Sequence, residues 1–276
     1  MHLKHHNNEA ISVRWLTVSG LSVRVAVKEG PGHRRPLLVF NGIGASFEML
    51  RPFVDAMQDK ELILFDAPGA GKSAAPLVPW RLRHYASAAA EILDALGHAE
   101  ADVIGLSWGG ALAQQFAKQF PGRCSRLVLA ATSPGHIMVP AKPGILMHMM
   151  NPRRYADRNY MRKIAGTIYG GSFRTNRIAA KRYTDSTTTP STRGYYYQLL
   201  AISGWSSLPW LHRLAQPTLV IQGSDDPLIP RSNGKILAAL IPNARLVEVD
   251  CGHLFMLTRA REVAVALEDF LHGADT

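Results

Sequence analysis

Polar and apolar positions alternate at the start of the chain. Val13, Trp15 and Thr17, then Val23, Val25 and Val27, flank Ser19-Gly20. A period of two on either side of a Ser-Gly turn predicts an antiparallel hairpin. The pattern then changes to short β-branched and leucine runs with little alternation. These are Leu37–Phe40, Leu62–Phe65, Asp102–Ile104, Leu127–Leu129, Thr218–Ile221 and Leu246–Val249. Most such strands are expected to be buried on both faces, as in a parallel sheet covered by helices. Helical periodicity falls between them, over Phe47 to Met57, Leu82 to Leu96, Trp108 to Gln119, Ser232 to Leu240 and Arg261 to Leu271. The expected fold is α/β: a mostly parallel central sheet led by an antiparallel hairpin, with helices on both faces. The alternation breaks once, between about His136 and Arg213, where no good strand appears. That stretch, 136–213, reads as a mostly helical cap on a core formed by 11–135 and 214–276. Residues 1–10 read as a flexible, His-rich tail. Thr184–Thr192, rich in Thr and Ser, reads as a loop within the cap.

With 276 residues, 47% of them hydrophobic and 19% charged, the chain can bury a large core, which excludes global disorder. No apolar run approaches the roughly 18 residues of a membrane-spanning helix. The first ten residues lack the apolar stretch of a secretory signal. Two cysteines, Cys124 and Cys251, are too few for a disulfide framework, so a reducing cytoplasm is the expected setting. The net charge of +10 resides in one segment. Between His136 and Arg213 there are twelve Lys or Arg against Asp157 and Asp185, while the rest of the chain is neutral. Such a patch suits an anionic surface or ligand. Nucleic acid is not expected, because no recognition motif accompanies the charge.

The strongest chemical signal is Gly105-Leu106-Ser107-Trp108-Gly109, placed between a predicted strand and a predicted helix. That strand–turn–helix context is what a nucleophile elbow requires. Ser107 then projects from the sheet's carboxyl edge, just ahead of a helix N-terminus whose dipole favours negative charge. A serine hydroxyl needs a base, and the base needs an orienting acid. Both follow the next strands: Asp226 in Gly223-Ser-Asp-Asp-Pro and His253 in Asp250-Cys-Gly-His. Asp225 is the rival acid and Asp250 a remoter one. Asp226 is preferred because this fold places its acid three residues after the glycine; Asp225 is expected to serve the loop backbone. Phe40-Asn41-Gly42-Ile43-Gly44 closes an earlier strand where the fold supplies an oxyanion donor. The backbone N–H groups of Ile43 and Trp108 are assigned to that hole, with the Asn41 side chain bracing the loop.

Other signals are weaker. Gly69-Ala-Gly-Lys72-Ser73 resembles the end of a phosphate-binding loop, but the full motif needs glycine where Asp66 stands. Cys251 precedes His253 by two residues, yet a tight turn keeps its sulfur from the imidazole, and Cys124 reads as a small core residue. No metal site is expected. A dehalogenase or epoxide hydrolase of similar fold would carry aspartate at the elbow.

The stretches LLVFNGIGA (Leu37–Ala45), FDAPG (Phe65–Gly69), IGLSWGGALAQQFA (Ile104–Ala117), NPRRY (Asn151–Tyr155), TIYGG (Thr167–Gly171) and GYYYQL (Gly194–Leu199) resemble those of a known family. It is the intracellular poly(3-hydroxyalkanoate) depolymerases of medium-chain-length storage polyesters, α/β-hydrolases by fold. The resemblance spans about residues 37 to 260, and its cap stretches are more specific than the elbow. It implies a cofactor-free Ser–His–Asp esterase with Ser107, Asp226 and His253 as its triad, releasing 3-hydroxyalkanoic acids or oligomers through an acyl-enzyme. Departures are the His-rich tail, Lys72 and Ser224.

Within the cap, Met147, Tyr196 and Trp205, with Asn41 of the core, are the expected substrate contacts. The Met-rich run from Ile137 to Met150 and the arginines Arg153, Arg154, Arg158 and Arg162 suggest docking on a polyester granule, and hence a granule-associated cytoplasmic location. The same run equally suits the cap's own core. Two other functions remain open: a carboxylesterase or lactonase of this fold acting on small esters, and a non-catalytic granule protein.

Overall fold

The computed structural model describes residues 11–31, 35–151, 153–186 and 191–272. The His-rich tail of residues 1–10 lies outside the described residues. Eight strands form one sheet: β1 (Ile11–Val18), β2 (Leu21–Lys28), β3 (Leu37–Phe40), β4 (Leu62–Phe65), β5 (Ala101–Leu106), β6 (Cys124–Ala130), β7 (Thr218–Gly223) and β8 (Ala244–Val249). Their order is β1-β2-β4-β3-β5-β6-β7-β8. β1 pairs antiparallel with β2, β2 antiparallel with β4, and every later pairing is parallel. Ser19 and Gly20 at the hairpin turn both have positive φ, as a two-residue turn between twisted strands demands.

The central strands carry apolar side chains on both faces and divide them by parity. Leu37, Val39, Leu62, Leu64, Ile104 and Leu106 join one buried cluster; Leu38, Phe40, Ile63, Phe65 and Val103 join the other. The first cluster takes in α1 (Arg51–Ala56) through Phe53 and Val54 and α11 (Ala260–His272) through Val263 and Leu267. The second takes in α2 (Leu82–Ala95), α3 (Trp108–Gln119) and α9 (Ser232–Leu240). The outer strands are the least covered, and of the two only β8 was expected to be buried on both faces. β1 is largely half-buried or exposed, and in β8 only Val249 is buried. Each has a neighbour on one side only, a place in the sheet that local composition does not reveal.

Between β6 and β7 come α4 (Pro143–Met150), α5 (Arg153–Ala156), α6 (Arg158–Tyr169), α7 (Arg177–Ser186) and α8 (Thr192–Ile202). The short α10 (Phe255–Thr258) precedes α11. α7 runs to Ser186, so the start of the Thr-rich stretch is helical and not loop; residues 187–190 lie outside the description. Ile164, Ala165, Ile168, Phe173 and Tyr183 join the first core cluster, so this helical layer shares the core of the sheet beneath it.

The loop after β4 is braced internally. Asp66 is fully buried and accepts from Phe47 N, Lys72 N and Arg24 Nε. Burial pushes its carboxyl pKa up from the ordinary value. Gly71 and Lys72 close around this carboxylate, so the loop wraps one of the protein's own side chains.

Candidate active site

β3 and β5 are neighbours, but the chain passes from β3 to β4 on one side before returning to β5 on the other. Chain direction therefore diverges between their carboxyl ends, where open parallel sheets bind ligands. The loop after β3 and the turn after β5 both open there.

Ser107 sits on that turn with φ 57° and ψ −117°, a conformation that a β-carbon makes costly. Such strain costs about 1–3 kcal/mol and persists only where the surroundings impose it. Here Ser107 N donates to Ala130 O at 2.9 Å, and Ser107 O accepts from Thr132 Oγ1 at 2.7 Å. Glycine at 105 and 109 is obligatory for close approach: an added Cβ would lie 2.1 Å from Gly109 O in the first case and 2.2 Å from Phe40 O in the second.

His253 and Asp226 meet behind it. His253 Nδ1 lies 2.8 Å from Asp226 Oδ2, and both side chains are buried. The acid's other contacts fix it in place. Oδ1 accepts from Leu228 N and Ile229 N, while Oδ2 also accepts from Gln222 Nε2. A carboxylate so surrounded accepts a hydrogen bond from Nδ1–H, which leaves Nε2 as the imidazole's acceptor face. Ser107 and His253 line one cavity with Ile43, Met49, Met149, Arg154, Tyr169, Tyr183, Leu228 and Leu254 among their neighbours.

Asp225, the rival acid, faces elsewhere. Its carboxylate holds Arg174 in a two-pronged pair at 2.7 and 2.9 Å and accepts from Gly171 N. It ties the acid loop to the helical layer, a more distant partner than the loop backbone expected of it. The guanidinium holds the Asp225 carboxyl below the usual carboxylate range. Asp250 accepts from Ser224 Oγ. Cys251 contacts Ser172 and Thr258 through its sulfur, and Cys124 is buried in the core.

The same corner carries the end of α6. Gly170 and Gly171 both have positive φ, and side chains there would strike Asp225 O and Gly252 N, each at 2.0 Å. This turn lets Tyr169 O accept from His253 N at 2.7 Å, with the Tyr169 ring lying parallel to the imidazole at 6.0 Å.

Asn41 braces its loop as expected, accepting from Gly42 N and donating to Ser46 O. Ile43 is in the cavity wall. Trp108 begins α3, where the first backbone N–H groups lack partners within the helix.

The cap residues expected to touch substrate lie elsewhere. Met147 is 72% exposed, and Tyr196 is exposed against Tyr195. Trp205 packs on Trp210 and donates to Gln115 Oε1. The helical layer's share of the cavity wall comes instead from Met149, Arg154, Tyr169 and Tyr183, which helix phase alone did not identify. Arg154 is buried, with Tyr195 Oη at 2.9 Å and Tyr169 Oη at 3.4 Å, so it does not belong to an outward docking face.

Residues 35–260 match the family model described as alpha/beta hydrolase fold. A poly(3-hydroxyalkanoate) depolymerase of Ectopseudomonas oleovorans is 49% identical over 94% of this chain and 92% of its own length. The 3-oxoadipate enol-lactonase 2 of Acinetobacter baylyi is 26% identical over 80% of this chain and 82% of its own. Among solved structures, the enol-lactonase from Burkholderia xenovorans LB400 superposes with a TM-score of 0.81 at 22% identity, covering 94% of this chain and 100% of that one. A hydrolase from Pseudomonas aeruginosa PA01 gives 0.79 at 26% identity, covering 98% and 100%. The strained elbow, the coverage of the family model and the half-identical relative agree: this chain belongs to the α/β-hydrolase fold family, among the relatives of poly(3-hydroxyalkanoate) depolymerase.

Proposed function

We propose that the chain is a serine esterase that hydrolyses the ester bonds of medium-chain-length poly(3-hydroxyalkanoate), with Ser107, His253 and Asp226 as its catalytic residues. The observation that carries this reading is one cavity walled by an elbow serine and an aspartate-bound histidine, in a chain half identical to a named depolymerase.

His253, its Nδ1–H engaged by Asp226, takes the Ser107 proton at Nε2 as the hydroxyl oxygen attacks the ester carbonyl. The tetrahedral oxyanion is held by Ile43 and Trp108 N–H. Its collapse breaks the ester bond, and the imidazolium returns the proton to the departing 3-hydroxyl oxygen. Water, deprotonated by His253, then attacks the acyl-enzyme and frees the acid and Ser107. Asp226 stays ionised throughout and stabilises the imidazolium. Met49, Met149, Leu228 and Leu254 give the cavity an apolar wall suited to a pendant alkyl chain.

The cap, residues 136–213, is proposed to dock on the polyester surface through side chains it leaves exposed. Ile137, Leu146, Met147 and Met150 are between 43% and 72% exposed, whereas Ile145 is buried in the core. Some of its basic side chains are engaged within the layer. Arg153 pairs with Asp157, Arg162 and Lys181 pair with Asp185, and Arg154 is interior. Among the described residues, no helix is long and apolar enough to cross a membrane, so attachment would be peripheral.

The deciding assay offers purified protein a polymer of C6 or longer units, a short-chain polymer and small aryl esters. Release of 3-hydroxyacids from the first supports this reading. Brisk cleavage of small esters with the polymer untouched replaces it with the small-ester or lactonase reading that the enol-lactonase relative favours.

A further inference from the structure

The two proposed oxyanion donors stand on different elements: Ile43 on the loop after β3, Trp108 at the start of α3. Such a hole works only if its donors are fixed before charge develops, since reorganising them during reaction would forfeit the gain. One residue of the helical layer grips both elements. The side-chain Oε1 of Gln198 accepts from Gly44 N at 2.7 Å, and its backbone oxygen accepts from Trp108 Nε1 at 2.9 Å. Gly44 directly follows Ile43, and the indole belongs to the second donor residue itself.

Gln198 is 1% exposed and is firmly seated. It follows by one helical turn Gly194, where an added Cβ would lie 2.0 Å from Gly69 O, so α8 rests backbone to backbone on the core. Tyr197 Oη adds a bond to Leu77 O. The amide is otherwise poorly used: among the described residues, Gln198 Nε2 is buried with no hydrogen-bond partner. For packing alone, an apolar side chain of similar shape would serve better, because it leaves no buried donor unmet. What the amide supplies is an acceptor for the oxyanion loop.

The geometry points to Gln198 as a positioning residue that sets, from the cap, the spacing of the two oxyanion donors without touching the reacting atoms. This rests on the Ser107 reading above. The test is Gln198→Met, which keeps the shape and removes the acceptor, assayed on a p-nitrophenyl octanoate substrate and with an alkyl trifluoromethyl ketone that mimics the oxyanion. Expected are a kcat lower by about tenfold to a hundredfold, a KM within about twofold of wild type, and a parallel loss of ketone affinity. A folded variant with kcat and ketone affinity near wild type overturns the proposal, as does a rise in KM at constant kcat. Should Gln198→Met fail to fold, Gln198→Asn decides by the same criteria, because it adds no bulk and is one methylene too short for Gly44. Ser107→Ala runs alongside: if it retains turnover, the Ser107 reading itself fails, whereas an inactive Ser107→Ala beside an unimpaired Gln198→Met sinks only the positioning role.

Discussion

Asp226 binds four donors, two of them backbone N–H groups that keep its carboxylate in place even when its charge is removed. Asp226→Asn should therefore fold normally. The amide can present N–H to Nδ1 and favour the wrong imidazole tautomer, so kcat should fall by about 10³- to 10⁴-fold. Kinetics on a soluble ester with a thermal melt as control would check this. A loss below tenfold would mean that the histidine does not depend on this acid. Asp225→Asn offers the contrast at one residue's remove, since that carboxylate engages Arg174 and Gly171 and not the imidazole.

At the scale of elements, the helical layer hydrogen-bonds to the loops of the site at two corners. The α6 end supplies Tyr169 O to His253 N, and α8 supplies Gln198 to Gly44. The Arg174–Asp225 pair locks the first corner. Both side chains are about half exposed, and pairs of that kind are worth about 0.2–1 kcal/mol. Arg174→Ala should thus cost little stability. The sign of its pH dependence follows from Asp225. A carboxyl held below its ordinary pKa stabilises the fold above the unfolded-state value, and that contribution fades as pH falls through the folded-state value. The melting difference between wild type and Arg174→Ala should be present at neutral pH and close in strong acid; a gap that widens on acidification would refute this.

The elbow and the strand–helix alternation were legible because each is local: a motif of five residues, or a run between turns. The cap contacts were not. Met149 and Met147 are equally apolar, yet only the first reaches the cavity wall, because tertiary packing decides the rotation of α4 about its axis. Gln198 gave no signal of its own within GYYYQL; its partner Gly44 is 154 positions away in the chain. The choice between Asp225 and Asp226 rested on one residue of spacing, and only coordinates reveal what each carboxylate holds.

For the whole molecule, Asp157, Asp185 and Asp225 pair with only part of the twelve Lys and Arg between His136 and Arg213, and most of that segment's positive excess stands. A polyester carries no charge of its own, so docking on it should depend more on exposed apolar groups than on that excess. Met147→Ser with Met150→Ser should weaken granule binding severalfold in a sedimentation assay while leaving hydrolysis of a soluble ester unchanged. Binding that survives the double substitution but collapses in about 0.5 M salt would instead assign the attachment to the arginines.

Covalent labelling reads out whether the hydroxyl of Ser107 is made reactive by its surroundings. The protein should be treated with an organophosphate and the adduct located by peptide mass spectrometry. One stoichiometric phosphorylated peptide, the one containing Ser107, is expected to appear as polymer hydrolysis is lost, and none in Ser107→Ala. An unlabelled Ser107 in active protein, or an adduct on a different serine that tracks inactivation, would contradict it.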